Sequence, residues 1–239
     1  TVNVGKQGLT TPWTVATDIN GNEQTGTGIL ALSTVGPVTL AGAYFNQTNV
    51  KTSSDAAFSG YSLNSAGNPM AATKLTDAGI IDGSEDIMTV GAIATFAPVT
   101  ADAWYLTMTD RFDTYTVGAK ATTKLSGIDL IGDARYVSLT LDKKVDPDQQ
   151  KNTLAKLVVS GDAGLVDAKL AYAKTGKEGG LTALDNDATS TLLGWNITSN
   201  GKTDADYIQA VLGFDVLSNL NLSANYGQIK YITEQDSTE

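Results

Sequence analysis

Between Thr114 and Tyr136 the chain alternates with a period of two. Tyr115, Val117, Ala119 and Ala121 fall on one face, and Thr114, Thr116, Gly118, Lys120, Thr122 and Lys124 on the other. After Ser126-Gly127 the pattern resumes. Ile128, Leu130, Gly132, Ala134 and Tyr136 share a face, opposite Asp129, Ile131, Asp133 and Arg135. Period two is the mark of a strand with unlike faces. One face here is small and apolar, and the other carries full charges. A soluble hairpin would bury the first in a core, whereas a membrane barrel turns it to lipid and sets the charges around water.

The same reading predicts eleven strands, at about 2–8, 26–34, 37–47, 86–97, 101–110, 114–125, 127–141, 152–160, 165–174, 205–217 and 220–232. Met88, Val90, Ala92, Ala94 and Phe96 share a face; so do Val166, Ala168, Leu170 and Tyr172, against Asp167 and Lys169. Ile208, Ala210, Leu212, Phe214 and Val216 oppose Gln209 and Asp215. Pro12, Pro37, Pro69, Pro98 and Pro147 all fall between these strands, as residues unable to donate to a ladder should. A short helix over 71–81, inside a loop, is the one helical expectation. Long connections (about 9–25, 48–85 and 175–204) interleave with tight ones, which is the pattern of an up-and-down meander with long loops at one end. Tyr44, Phe96, Trp104, Tyr105, Phe112, Tyr115, Tyr136, Tyr172, Phe214 and Tyr226 lie near strand ends, where interface belts are placed.

Composition narrows the chemistry. The chain has 239 residues, no Cys, no His and a net charge of −10. Thiol catalysis and a Ser-His-Asp triad are excluded, and Cys-based metal sites with them. The acidic balance argues against a nucleic-acid partner. No run approaches the roughly 20 apolar residues of a spanning helix. No catalytic constellation appears, so the chain is not expected to be an enzyme. On the barrel reading Lys120, Lys124, Asp129, Asp133, Arg135, Lys156, Asp167, Lys169 and Asp215 line the pore. Opposed charges across a narrow channel set up a transverse field that acts on ions and polar solutes.

Val4-Gly5-Lys6-Gln7-Gly8-Leu9, Trp13-Thr14 and Thr25-Gly26-Thr27-Gly28, then Gly36-Pro37-Val38-Thr39-Leu40-Ala41-Gly42-Ala43, resemble successive segments of the Campylobacter-type major outer membrane porins. The Trp104-Tyr105-Leu106 strand, the Ile128-Asp129 hairpin and the Gly164–Tyr172 strand follow in matching order. The resemblance implies a homotrimer of barrels with about eighteen strands each. It makes residues 9–25 a loop folded into the lumen, with Asp18 and Glu23 at the constriction. It also implies a possible Ca²⁺ site from Glu23, Asp55 and Asp185 or Asp187, although Asn22 stands where the family has an aspartate. No other cofactor is implied.

The expectation is therefore an all-β, transmembrane, up-and-down antiparallel β-barrel, with residues 1–239 one barrel domain lacking strands at both ends of a 16–18-stranded whole, roughly as bacterial barrels run. It would lie in the outer membrane of a Gram-negative bacterium, in contact with lipid. There it would pass small hydrophilic solutes and ions, with a preference for cations from its loop acids. The rival readings are an adhesive or coat β-protein without a channel, and a closed soluble barrel that binds a small ligand.

Overall fold

The computed structural model describes residues 1–18, 21, 23–50, 81–146, 151–195, 197–217 and 219–232, and the backbone alone of 59–63 and 69–74. Its strands are β1 (Val2–Gly8), β2 (Thr25–Val35), β3 (Val38–Thr48), β4 (Ser59–Leu63), β5 (Pro69–Lys74), β6 (Ile87–Phe96), β7 (Val99–Met108), β8 (Phe112–Leu125), β9 (Ile128–Leu141), β10 (Lys151–Asp162), β11 (Val166–Thr175), β12 (Leu193–Gly194), β13 (Ile197–Thr198), β14 (Asp206–Leu217) and β15 (Leu220–Lys230). Eleven of them form one sheet in the order β1-β2-β3-β6-β7-β8-β9-β10-β11-β14-β15. Every pair is antiparallel with its sequence neighbour in the sheet, so the chain is a pure meander, and β1 and β15 are its edges. The eleven strands are those read from the alternation. The long connections hold two further hairpins, β4–β5 and β12–β13.

Two expectations are corrected. Residues 71–74 belong to a strand rather than a helix, and Pro69 begins that strand rather than lying between strands. The first position of a strand tolerates proline because its missing N–H leaves no gap in the ladder.

The register extends the two-faced pattern across the whole sheet. Val90, Tyr105, Tyr115 and Ser138 share one face, as do Leu157 and Tyr172, then Ile208. On this outer face Met88, Val90, Phe96, Val117, Leu157, Val159, Leu170, Leu212, Phe214 and Leu222 are all exposed. An apolar band of this extent is far beyond what a water-soluble surface carries. It is not the face of a soluble core, because the loops pack on the other one. Tyr44, Tyr105, Tyr115, Tyr136, Tyr172 and Tyr226 sit on the outer face toward the long-loop end, and Phe96 and Phe214 on it toward the tight turns. Phenolic side chains suit the wetter level of an interface: the Tyr105 hydroxyl donates to Asp113 and that of Tyr172 to Asp206. Trp104 and Phe112 do not join these belts. Phe112 is buried on the inner face, and Trp104 turns inward over Gly91, where an added Cβ would lie 2.1 Å from the indole.

The core is inside, at the long-loop end. Phe45, Ile87, Leu106, Met108, Phe112, Val137, Leu139, Leu154, Ala171, Ala173 and Tyr207 supply it from the strands, while Leu9, Trp13, Leu181, Leu184 and Leu192 supply it from the loops. Two buried hydroxyls of β8 among them are satisfied. Thr114 donates to the Ser138 carbonyl and Thr116 to that of Tyr136, so the polar alternation of β8 survives burial at little cost.

Candidate pore lining and constriction

All nine lining residues read from the sequence fall on the inner face. Lys120 stands opposite Asp133 and Lys124 opposite Asp129. Arg135 is opposite Lys156, Asp167 opposite Gly213, Lys169 opposite Val211 and Asp215 opposite Asn221. They occupy the half of that face nearer the tight turns, below the core.

The charges are organised in rungs. Highest is Arg135, whose guanidinium donates to both oxygens of Asp102 at 2.9 and 2.7 Å and to Thr116 Oγ1 at 3.1 Å. This fork-to-carboxylate geometry is the strong form of an ion pair. It lies over Gly118, where a Cβ would come within 2.5 Å of Arg135 Nη2; a side chain there would displace the pair. Beside it Lys156 Nζ donates to the Thr191 carbonyl at 2.9 Å, tying the loop after β11 to the wall. Lowest is a rung of acids: Asp129, Asp162 and Asp167 are successive cross-strand partners, and Lys124 is paired to Asp129, at 3.2 Å. Asp102 and Asp162 were not among the residues read from the sequence. Both follow from continuing the alternation: Asp102 shares a face with Trp104 and Leu106, and Asp162 with Ser160 and Val158.

Two loops fold onto this face. The segment 9–24 doubles back on itself, Leu9 N–H donating to Gln24 and Gln24 N–H to Ala16. The segment 176–205 is held by Asn152, which accepts from Leu181 N–H, and by Asn200, which accepts from Thr182 and Ala183. The loops then join each other. Leu184 and Asp185 N–H donate to the Trp13 carbonyl at 2.8 and 3.2 Å, Ser190 N–H donates to that of Pro12 at 2.9 Å, and the Gln24 side chain donates to the Asp185 carboxylate. Trp13, 0 % exposed, is the apolar centre of the junction.

The described residues of 9–24 take an inward course. That of 176–205 leaves no trace in the alternation, and Asp185, one of the acids offered for the Ca²⁺ site, is 0 % exposed. The overlooked signal is the apolar series Leu181, Ala183, Leu184, Ala188 and Leu192, which a loop wholly in water has no use for. Asp18 is likewise buried, whereas Glu23 is exposed and Asp187 half-buried. Asp55 and Asn22 lie outside the described residues. Among the described residues no three acidic side chains come together to hold a metal ion, and the Asp185 carboxylate already accepts from Gln24 and from Asp187 N–H. Glu23, Asp185 and Asp187 alone do not make a calcium site.

No protein-family profile and no curated protein sequence matches the chain. Solved structures do. The chain is similar to OccAB3 of Acinetobacter baumannii, with a TM-score of 0.76 at 14% identity over 99% of this chain and 59% of that one. A BenF-like porin from Pseudomonas fluorescens Pf-5 gives 0.73 at 14% identity, over 95% and 56%. OpdK of Pseudomonas aeruginosa, solved with vanillate, gives 0.71 at 15% identity, over 95% and 59%. The chain thus spans less than three-fifths of the length of each of these proteins. At such identities the likeness concerns the fold: this chain has the all-β, antiparallel, up-and-down architecture of an outer-membrane porin barrel.

Proposed function

We propose that the protein is a porin of a Gram-negative outer membrane, a non-enzymatic channel through which ions and small hydrophilic solutes diffuse. One observation carries this reading. Across the eleven-stranded sheet a band of exposed apolar residues lies on one face, and the nine charges named above lie on the other, onto which two loops fold. Lipid on one side and water on the other satisfies both faces at once. Purified full-length protein in a planar bilayer should give discrete ion-conducting steps. Detergent-folded protein that never conducts would count against the proposal.

The finer parts of the proposal are three. Cation preference is supported by the Asp129, Asp162 and Asp167 rung at the tight-turn mouth and by exposed Glu23 at the loop junction. The Debye length at physiological salt is about 8 Å, so such a field survives screening across a narrow constriction. Replacing Asp162, Asp167 and Glu23 by their amides should move the reversal potential in a salt gradient toward zero. An anion-selective parent, or an unchanged triple variant, would refute the preference. Calcium binding is a second part, and it would need Asp55 beside Glu23 and Asp187. Assembly as a trimer, and kinship with the Campylobacter-type porins in particular, are the third, and they rest on the short motifs of β1–β3.

A further inference from the structure

Beside the loop junction, a cavity of about 430 Å³ lies between the β12–β13 hairpin and the inner face of β14 and β15. That volume is within the range of small-ligand sites, about 300–1,000 Å³. Its lining includes Gly194, Trp195, Tyr207, Gln209, Ser223 and Asn225, and no lining residue carries a formal charge. Trp195, at the hairpin turn with a φ of 52°, is 81 % exposed although it belongs to a loop otherwise packed inward. Gln209 is only 6 % exposed, yet its Oε1 has no hydrogen-bond partner among the described residues. Native interiors rarely leave a buried amide oxygen unpaired, and such a group selects for a ligand that supplies the missing donor. Gly194 is part of the arrangement, because a Cβ there would come within 2.2 Å of the Gln209 amide. Tyr207 Oη, 3.2 Å from the Ile197 carbonyl, and Asn225, whose Nδ2 donates to Ser223 Oγ at 3.2 Å, add groups that both donate and accept.

An exposed indole, two amides, three hydroxyls and no charge form a set suited to a neutral, many-hydroxylated ring. The ring's C–H face would stack on Trp195 and its hydroxyls would pair with Gln209 and Asn225. We propose that this cavity is a binding subsite for neutral sugars of mono- or disaccharide size, a proposal that rests on the channel reading above and names one class of solute for it.

The test uses the full-length protein and two readouts, with glucose and maltose as probes and vanillate as the charged comparison. In a bilayer the sugars should interrupt the ion current with a saturable concentration dependence. Gln209→Leu and Trp195→Ala should each raise the half-blocking concentration about tenfold, the loss of one good polar or stacking contact, with each variant's block measured against its own open current. In detergent, where no current is involved, the sugars should change the tryptophan emission of the parent but not that of Trp195→Phe. Block by vanillate and not by sugars overturns the subsite while the channel stands. So does sugar block unaltered in both variants. Absent sugar-dependent emission in folded protein also overturns it, whereas emission that responds in protein that never conducts upholds the subsite and removes the channel.

Discussion

Leu170→Arg should destabilise the folded barrel by about 2–4 kcal/mol, the cost of a guanidinium placed near the bilayer midplane on a lipid-facing strand. Leu170 is 60 % exposed and lies midway along β11, between Val166 and Thr175. It shares its face with Ala168 and Tyr172 and, across the ladder, with Val159 and Ala210, none of which carries a charge. One residue away, Lys169→Arg keeps a cation on the inner face and should change stability by only tenths of a kcal/mol, within the usual range for a solvated position. Unfolding by urea in lipid vesicles, followed by the heat-modifiable shift of the folded band, measures both. Equal effects of the two substitutions would mean that β11 does not separate lipid from water.

Trp13→Ala should release the loops. The side chain is fully buried between two segments that also meet through backbone hydrogen bonds, the Gln24–Asp185 contact and the Thr189 hydroxyl on the Pro12 carbonyl. Truncating a buried tryptophan costs about 3–5 kcal/mol. Here the loss falls on the packing of 9–24 and 176–205 rather than on the strand ladder, so the barrel should stay folded while the loops leave the lumen. The expected result is a larger single-channel conductance and new protease sites in both segments, with heat modifiability of the barrel retained. A variant with parental conductance and intact loops would show that Trp13 does not hold the constriction.

Much of this architecture is readable from the chain because a strand's side-chain period is two and each strand is long enough to repeat it several times. The hairpin stretch from Thr114 to Tyr136 shows both faces, and Lys120 and Asp133 meet as the alternation requires. The limits of the reading are also physical. Alternation tells which face a residue is on, and not what covers that face. Phe112, Leu106 and Leu139 break the polar rhythm of the inner face because they sit under folded-in loops, and Trp104 breaks it because Gly91 leaves room for an indole. In the segment 176–205 no period exists to read, since irregular backbone packs by individual contacts. Asp185 there accepts from Gln24, 161 residues away, a contact that no local pattern announces. The cavity at Trp195 and Gln209 has the same origin, since it joins a loop hairpin to the inner face of two strands.

The alternation itself can be tested residue by residue, since residues 1–239 contain no cysteine. Single cysteines placed at each position from Leu165 to Lys174, in the full-length protein in intact outer membranes, are treated with a membrane-impermeant thiol reagent. Asp167 and Lys169 positions should react. Val166, Ala168, Leu170 and Tyr172 positions, facing lipid, should not. Ala171 and Ala173, buried on the inner face beneath the loops, should react only when Trp13→Ala is also present. Equal labelling of odd and even positions would contradict a barrel wall between lipid and water.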